Sequence, residues 1–214
     1  MEVVVCLLIG YAIGTISPAY IIGAIRGFDI RKKGSGNAGA SNVMIVIGKA
    51  AGIVCALLDI VKPCIAIWIT RKLFPLFELA FPLTGAACIL GHIFPFYMKF
   101  KGGKGLACLG GVVLMTDLRL FFALILIELA VVLVVNYICV VPMTASVAYS
   151  VIYGVMYKDS LAALVFFVVA VVIFFKHTEN LRRIKEGTEI RFSFLWKKEE
   201  ELARIKENGV TENE

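Results

Sequence analysis

Charge is scarce in this 214-residue chain: only 18% of its residues are charged, whereas 60% are hydrophobic. A water-soluble domain with so few charges would expose far too much apolar surface. Several hydrophobic runs approach the roughly 20 residues that are needed to cross a bilayer. These runs are continuous rather than alternating, which argues against a transmembrane β-barrel. The composition therefore predicts an all-α, polytopic integral membrane protein.

Several signatures of catalytic or metal sites are also missing. The six cysteines are scattered and include no CxxC pair, so neither a disulfide framework nor a metal site is indicated. Lys104 is followed by glycine, which breaks the GxxxxGK[ST] phosphate-loop pattern, and there is no GxSxG elbow. The HxxxxD arrangement of many acyltransferases is absent too, because Tyr97 and Arg182 stand five residues after His92 and His177.

Two short, glycine-rich polar segments interrupt the apolar runs. Residues 34–42 read GSGNAGASN, and residues 99–105 hold three lysines and three glycines within GHIFPFYMKFKGGKGLA (91–107). Glycines let backbone N–H groups turn toward a ligand, lysines supply positive charge, and the start of a following helix adds a partial positive charge. The second segment therefore predicts a phosphate-binding loop at a membrane face. For the first segment, an ordinary connecting loop is the alternative.

Hydropathy predicts about seven transmembrane helices in a single domain. The candidate spans are residues 3–25, 50–70, 79–97, 105–116, 118–141, 144–157 and 161–175, of which 105–116 and 144–157 are short. We expect residues 1–191 to form the membrane-embedded domain. Residues 192–214 are expected to form a charged cytoplasmic tail. Its apolar residues Phe192, Phe194, Leu195 and Trp196 could rest in the membrane interface, and residues 199–214 are expected to serve solvation.

Most of the 22 Lys and Arg residues lie on one side of these spans. Because positive residues accumulate in cytoplasmic loops, the N-terminus is predicted outside and the C-terminus inside. This orientation brings both glycine-rich segments and residues 177–189 to one cytoplasmic face. The net charge of +6 then fits contact with anionic lipid, and no motif indicates nucleic acid.

A few ionisable residues lie within the predicted spans. Asp59 and Lys62 are three residues apart and therefore share one helix face. Charges inside a membrane are expensive and are usually functional or paired, so both a functional pair and a structural ion pair remain open. His92 lies shortly before the lysine-rich segment, and both a functional role and a structural, hydrogen-bonded role remain open for it.

Three motifs carry a resemblance to a known family. GSGNAGASN at 34–42, GHIFPFYMKFKGGKGLA at 91–107 and HTENLRRIKEGTE at 177–189 resemble the three signature motifs of the acyl-phosphate-dependent glycerol-3-phosphate acyltransferases, the bacterial PlsY family. Their order, their spacing and the hydropathy match over nearly the whole chain. The Asp59 and Lys62 pair also resembles the family.

The resemblance implies a reaction and a location. A fatty acyl group would move from acyl-phosphate to the 1-hydroxyl of glycerol 3-phosphate, giving lysophosphatidic acid and phosphate, without a metal or coenzyme. The enzyme would lie in the bacterial inner membrane, in contact with lipid. It would be functionally coupled to the enzyme that produces acyl-phosphate.

Within the matching motifs we assign roles. Lys104 and the backbone of residues 102–105 bind a phosphate, Ser35 and Asn37 position the acyl-phosphate or the oxyanion, and His177 and Asn180 orient glycerol 3-phosphate. The base is either His177 or a substrate phosphate, and Glu189 either contacts substrate or holds the basic residues. The predicted catalytic residues are Ser35, Lys104, His177 and Asn180. The predicted substrate-binding residues are Gly34, Gly36, Asn37, Asn42, His92, Lys101, Gly102, Gly103, Gly105, Arg182 and Glu189.

One departure from the family pattern leaves alternatives open. The first motif usually continues to an arginine, but Ile45 occupies that position here, and Ser41 replaces the usual threonine. Nearby cations could substitute: Arg31, Lys32 or Lys33. Otherwise the chain is a divergent paralogue with another acyl donor or acceptor. A small transporter-like protein without enzymatic activity is the alternative from a different class.

Overall fold

The computed structural model describes residues 1–210 and contains helices and turns but no strand within them. It confirms the all-α prediction. The last four residues of the predicted tail lie outside the described part of the chain. The described α-helices are α1 (Glu2–Thr15), α2 (Pro18–Ile25), α3 (Ala40–Val46), α4 (Lys49–Leu73), α5 (Ala80–Ile93), α6 (Leu106–Thr116), α7 (Leu118–Val135), α8 (Val141–Tyr157), α9 (Ser160–Lys176), α10 (Thr178–Lys185) and α11 (Lys198–Val210).

Among the described residues, five helical segments are long and apolar enough to cross a membrane. A sixth arises if α9 and α10, which bend by 41° relative to each other, count as one broken span. Helix α6 is apolar but has only 11 residues. The polytopic membrane class is therefore confirmed, whereas the number seven is not. The spans are Glu2–Ile25, Lys49–Leu73, Ala80–Met98, Leu118–Val135 and Ile138–Tyr157.

Helix α5 lies at the centre of the bundle, packed against α1, α4 and α9. Its contact with α1 is close because small residues face each other: a Cβ on Gly14 would lie 2.2 Å from the carbonyl oxygen of Cys88. Such close backbone approach is the usual way in which membrane helices gain packing contacts. Helix α5 ends at Ile93, next to the lysine-rich segment, so its position determines where that segment lies.

The pair in α4 is a buried ion pair that joins three helices. The Lys62 ammonium lies 2.8 Å from the Asp59 carboxylate and 3.1 Å from Nδ1 of His92. It also donates to the carbonyl oxygens of Gly14 (3.2 Å) and Ile16 (2.7 Å), where the chain breaks between α1 and α2. Carbonyls freed at a helix break need a donor inside a membrane. These contacts favour the structural interpretation of Asp59 and Lys62.

Replacing Lys62 with methionine is expected to destabilise the fold by about 3–5 kcal/mol, because the Asp59 carboxylate then remains buried without its cation. Thermal unfolding of the purified protein in detergent measures the effect. Val61→Met, on the exposed lipid-facing side of the same helix, is the control and should unfold like the wild type. Adding Asp59→Asn should recover part of the loss. An unchanged unfolding temperature for Lys62→Met would contradict the assignment.

Candidate active site

The segment of residues 29–42 folds around the side chain of Asn42, which is completely buried. Its amide nitrogen donates to the carbonyl oxygens of Ile30, Lys33 and Asn37, each at 3.0 Å. Its Oδ1 accepts the backbone N–H of Ser35 at 2.8 Å. The side chain therefore holds the loop closed. Substrate binding by Asn42 stays a prediction, but its polar atoms already have partners.

The loop presents short polar side chains around two turns with positive φ, at Gly34 (57°) and Gly36 (73°). Glycine adopts this left-handed conformation without strain. Within the described residues, neither the Ser35 hydroxyl nor the Asn37 side-chain amide forms a hydrogen bond. Both groups are half-buried. They are therefore available to a ligand, as their predicted roles require.

Arg31 connects this loop to the lysine-rich segment. Its guanidinium donates to the carbonyl oxygen of Met98 at 2.7 Å and pairs with Asp29 through Nε and Nη2. The Lys33 ammonium lies 4.1 Å from the ring centroid of Phe28. Both cations therefore already have structural partners. Of the three cations considered as substitutes for the arginine missing at position 45, only Lys32 is exposed without such a contact in the described structure.

The backbone N–H groups of Gly102 and Gly103 hydrogen-bond to the end of α5. The N–H of Gly102 donates to the carbonyl of Ile93 (3.1 Å), and the N–H of Gly103 donates to that of His92 (3.0 Å). These bonds satisfy carbonyls at the end of α5, which lack helical partners. These two N–H groups therefore already have partners, and phosphate binding by the backbone of residues 102–105 stays a prediction. Glycine is required here for packing, since a Cβ on either residue would lie 2.1 Å from an atom of His92.

His92 lies beneath this loop. Its Nδ1 faces the Asp59 and Lys62 pair, and its Nε2 faces the backbone of Gly103. Asp59, His92 and Cys108 place potential metal ligand atoms within 4.8 Å of one another. The Lys62 ammonium, however, occupies the position that a cation would take, so we assign no metal site. The position of His92 favours support of the loop, and substrate contact by it stays a prediction.

Lys104 follows the packed glycines and immediately precedes Gly105. Gly105 has a φ of 94° and is the N-cap residue of α6. Burial lowers the pKa of the Lys104 ammonium below its ordinary value, and nearby Arg183 lowers it further. An anion bound beside this ammonium would oppose both effects. The neighbouring Lys101 is exposed.

A chain of four side chains links Lys104 to α10. The Lys104 ammonium donates to Oδ1 of Asn180, and Nδ2 of Asn180 donates to Glu189 Oε1 at 2.6 Å. The second carboxylate oxygen of Glu189 accepts from Nε of Arg183 at 2.8 Å. We call Lys104, Asn180, Glu189 and Arg183 the polar chain. The Arg183 guanidinium also pairs with the exposed Glu179 at 3.2 Å. The two cations of the polar chain suit a phosphate ligand.

His177 lies at the bend between α9 and α10 and is buried. Its Nδ1 is 2.7 Å from the carbonyl oxygen of Ile173, so Nδ1 carries the proton that this carbonyl accepts. In the neutral ring, Nε2 then keeps its lone pair. This is the tautomer that a general base or a hydrogen-bond acceptor for a hydroxyl needs.

The two adjacent arginines of α10 have different surroundings. Arg182, the predicted ligand, is exposed and faces Glu186 at 3.6 Å. Arg183 belongs to the polar chain and was missed. The signal was available, because Arg183 is three residues after Asn180 and shares its helix face, whereas a residue two positions away does not.

The chain is similar to proteins of about the same length. Residues 4–187 match the model of the family described as glycerol-3-phosphate acyltransferase. A glycerol-3-phosphate acyltransferase of Lactiplantibacillus plantarum is 36% identical over 95% of this chain and 100% of its own length. One of Thermus thermophilus is 35% identical over 86% and 92%, respectively.

Two solved structures have the same fold. The glycerol 3-phosphate form of PlsY (YgiH), an integral membrane glycerol 3-phosphate acyltransferase, superposes with a TM-score of 0.83 at 31% identity, over 91% of this chain and 98% of that one. The lysophosphatidic acid form gives a TM-score of 0.80 at 30% identity, over 91% and 97%. Together with the family match, these similarities establish that the chain belongs to the glycerol-3-phosphate acyltransferase family.

Proposed function

We propose that this membrane enzyme transfers a fatty acyl group from acyl-phosphate to the 1-hydroxyl of glycerol 3-phosphate. The products are lysophosphatidic acid and inorganic phosphate. The polar chain carries the proposal, because it places two cations and an oriented amide at the lysine-rich segment. Arg31 joins that segment to the loop that offers Ser35 and Asn37. Solved relatives described as glycerol 3-phosphate and lysophosphatidic acid forms support the acceptor and the product.

The reaction needs positioning more than covalent catalysis. The hydroxyl oxygen of glycerol 3-phosphate attacks the acyl carbonyl carbon, the bond from that carbon to the phosphate oxygen breaks, and the hydroxyl proton passes to a base. Phosphate is a good leaving group, so an acyl-enzyme is not required. The protein has to align the hydroxyl and stabilise developing negative charge.

Different residues bind the phosphates, orient the acceptor and take the proton. Lys104 and Arg183 bind phosphate oxygens, while Asn180, held by Glu189, orients the acceptor. The free groups of Ser35 and Asn37 hydrogen-bond the acyl-phosphate or the developing oxyanion. The base is Nε2 of His177 or a phosphate oxygen of the substrate itself. No metal or coenzyme takes part in this scheme.

The enzyme is proposed to lie in the bacterial inner membrane with its N-terminus outside and its C-terminus in the cytoplasm. This orientation gives the site access to soluble glycerol 3-phosphate while the acyl chain stays among the helices. We also propose functional coupling to the enzyme that produces acyl-phosphate. The transporter alternative is disfavoured because Asp59 and Lys62 pair with each other within the bundle.

The direct test supplies the purified protein with palmitoyl-phosphate and glycerol 3-phosphate and measures phosphate release and lysophosphatidic acid. Both products are expected in equal amounts. Palmitoyl-CoA, and acceptors without a phosphate, test the divergent-paralogue alternative that Ile45 raises. A folded sample that forms lysophosphatidic acid only from another donor would overturn the proposed acyl-phosphate reaction.

The two arginines of α10 provide a matched comparison. Arg183→Gln is expected to lower kcat/KM by about 10- to 100-fold, because it removes a cation and leaves Oε2 of the buried Glu189 carboxylate without its charged donor. Arg182→Gln removes the same charge from an exposed position and should lower kcat/KM by less than about threefold. Steady-state kinetics in lipid vesicles measures both. The reverse ranking would restore Arg182 as the ligand.

A further inference from the structure

Residues 191–208, which we call the C-terminal strap, are docked onto the end of the bundle that carries the motifs. The sequence predicts an interfacial segment at residues 192–196 followed by a solvated tail, whereas the structure shows several tertiary contacts. The backbone N–H groups of Phe192 and Ser193 donate to the Asn136 carbonyl (2.8 Å) and to its Oδ1 (3.0 Å) at the end of α7. The Lys49 ammonium donates to the carbonyl of Leu195 at 3.3 Å. These bonds fix the start of the strap.

Arg204 of α11 connects the strap to the turn that follows α10. Its Nη2 donates to the carbonyl oxygen of Glu189 at 2.7 Å, and its Nη1 donates to that of Gly187. The Glu201 carboxylate, which is almost completely buried, holds the guanidinium at 2.8 Å. A planar guanidinium with several donors can bridge two carbonyls in this way, whereas an ammonium cannot keep the same fork.

The turn that Arg204 binds presents Glu189 to the polar chain. The backbone N–H groups of Thr188 and Glu189 donate to the Arg183 carbonyl at 2.8 and 3.1 Å. The side chain of Glu189 then reaches Asn180 and Arg183. The strap thus binds the backbone of the short turn that carries Glu189, whose carboxylate orients the site residues. The strap also lies beyond residues 4–187, which match the family model.

We propose that Arg204 is a positioning residue of the active site, and this inference rests on the proposed function. By holding the carbonyls of Gly187 and Glu189, it fixes the carboxylate that sets the orientation of Asn180 next to Lys104. Arg204 touches no reacting atom in this scheme. Its loss should therefore act through Glu189 and weaken the alignment of glycerol 3-phosphate rather than unfold the bundle.

Amide hydrogen exchange tests the physical link without any assay of activity. In Arg204→Gln, the peptide that covers residues 183–192 should exchange about tenfold faster, while peptides from α5 and α8 keep their protection. Lys206→Gln is the matched control, because it removes a positive charge from an exposed position of the same helix and should leave the exchange unchanged. Equal exchange in the two variants would overturn the proposal.

A double-mutant cycle tests the functional link. Arg204→Gln is expected to lower kcat/KM for glycerol 3-phosphate by about tenfold, and Lys206→Gln by less than about twofold. In a Glu189→Gln background, Arg204→Gln should have little further effect, because the two residues act in series. Independent, multiplying losses would overturn the positioning role. If the wild type transfers no acyl group, the proposed function fails, and hydrogen exchange alone decides whether Arg204 holds the turn.

Discussion

Replacing Lys104 with methionine is expected to reduce kcat/KM for acyl transfer by roughly 10²–10³-fold, the loss typical of removing one preorganised donor from developing negative charge. Methionine retains much of the apolar stem, so the packing next to α6 changes little. Two things are lost: the only cation that the described structure places on Asn180 Oδ1, and the charge that we propose binds the substrate phosphate. Phosphate release from palmitoyl-phosphate and glycerol 3-phosphate measures the effect.

Lys185→Met is the control for this experiment. Lys185 is exposed at the end of α10, so its replacement removes the same charge without touching the polar chain. It should keep kcat/KM within about twofold of the wild type. A well-folded Lys104→Met protein with activity close to that of Lys185→Met would show that the phosphate binds elsewhere.

Gly102→Ala is expected to destabilise the protein strongly although it adds only one methyl group. The added Cβ would lie 2.1 Å from the His92 carbonyl oxygen and 2.5 Å from Cδ of Pro95. Neither neighbour is the flexible end of a side chain, so the loop must move away from α5. We expect a loss of about 3 kcal/mol and a fall in activity, because Lys104 is two residues further along.

Gly110→Ala is the matched control, since the nearest atom to its added Cβ is 3.7 Å away, an ordinary contact. It should be neutral or stabilising by up to about 1 kcal/mol, because alanine favours the helix. Unfolding can be followed with a thiol-reactive dye, as five of the six cysteines are buried. A Gly102→Ala protein as stable as Gly110→Ala would contradict the packing account.

The sequence was sufficient to predict the helical membrane class and to identify the three segments that meet. It could not give the direction of the N–H groups at Gly102 and Gly103. A glycine run looks the same whether the missing Cβ makes room for an anion or for another backbone, and here the end of α5 takes that room. The same holds for Asn42, because an amide that closes its own loop and an amide that binds a substrate occupy the same position in a motif.

The helix count of seven is not confirmed, and the prediction of Arg182 as a ligand did not include Arg183. Two predicted spans account for the difference in the count. Helix α6 has only 11 residues, and α9 is counted as a span only together with α10, from which it is bent by 41°. Arg183 follows Asn180 by three residues and shares its helix face wherever α10 begins, so this spacing could have identified Arg183 from the sequence. Arg183 belongs to the polar chain, whereas Arg182, one residue earlier, is exposed.

The shortness of α6 has a consequence for the depth at which the chemistry takes place. Eleven residues rise only about 16 Å along a helix, against a hydrocarbon thickness of roughly 30 Å. If Asp117 and Arg119 reach the headgroups of one leaflet, Lys104 sits well below the headgroups of the other, so the protein must thin the bilayer locally or admit a water-filled recess. In either case, the phosphate that we propose at Lys104 lies deeper in the membrane than the lipid headgroups. The acyl carbonyl can then react close to the level at which it already resides in the membrane, without being drawn out into water.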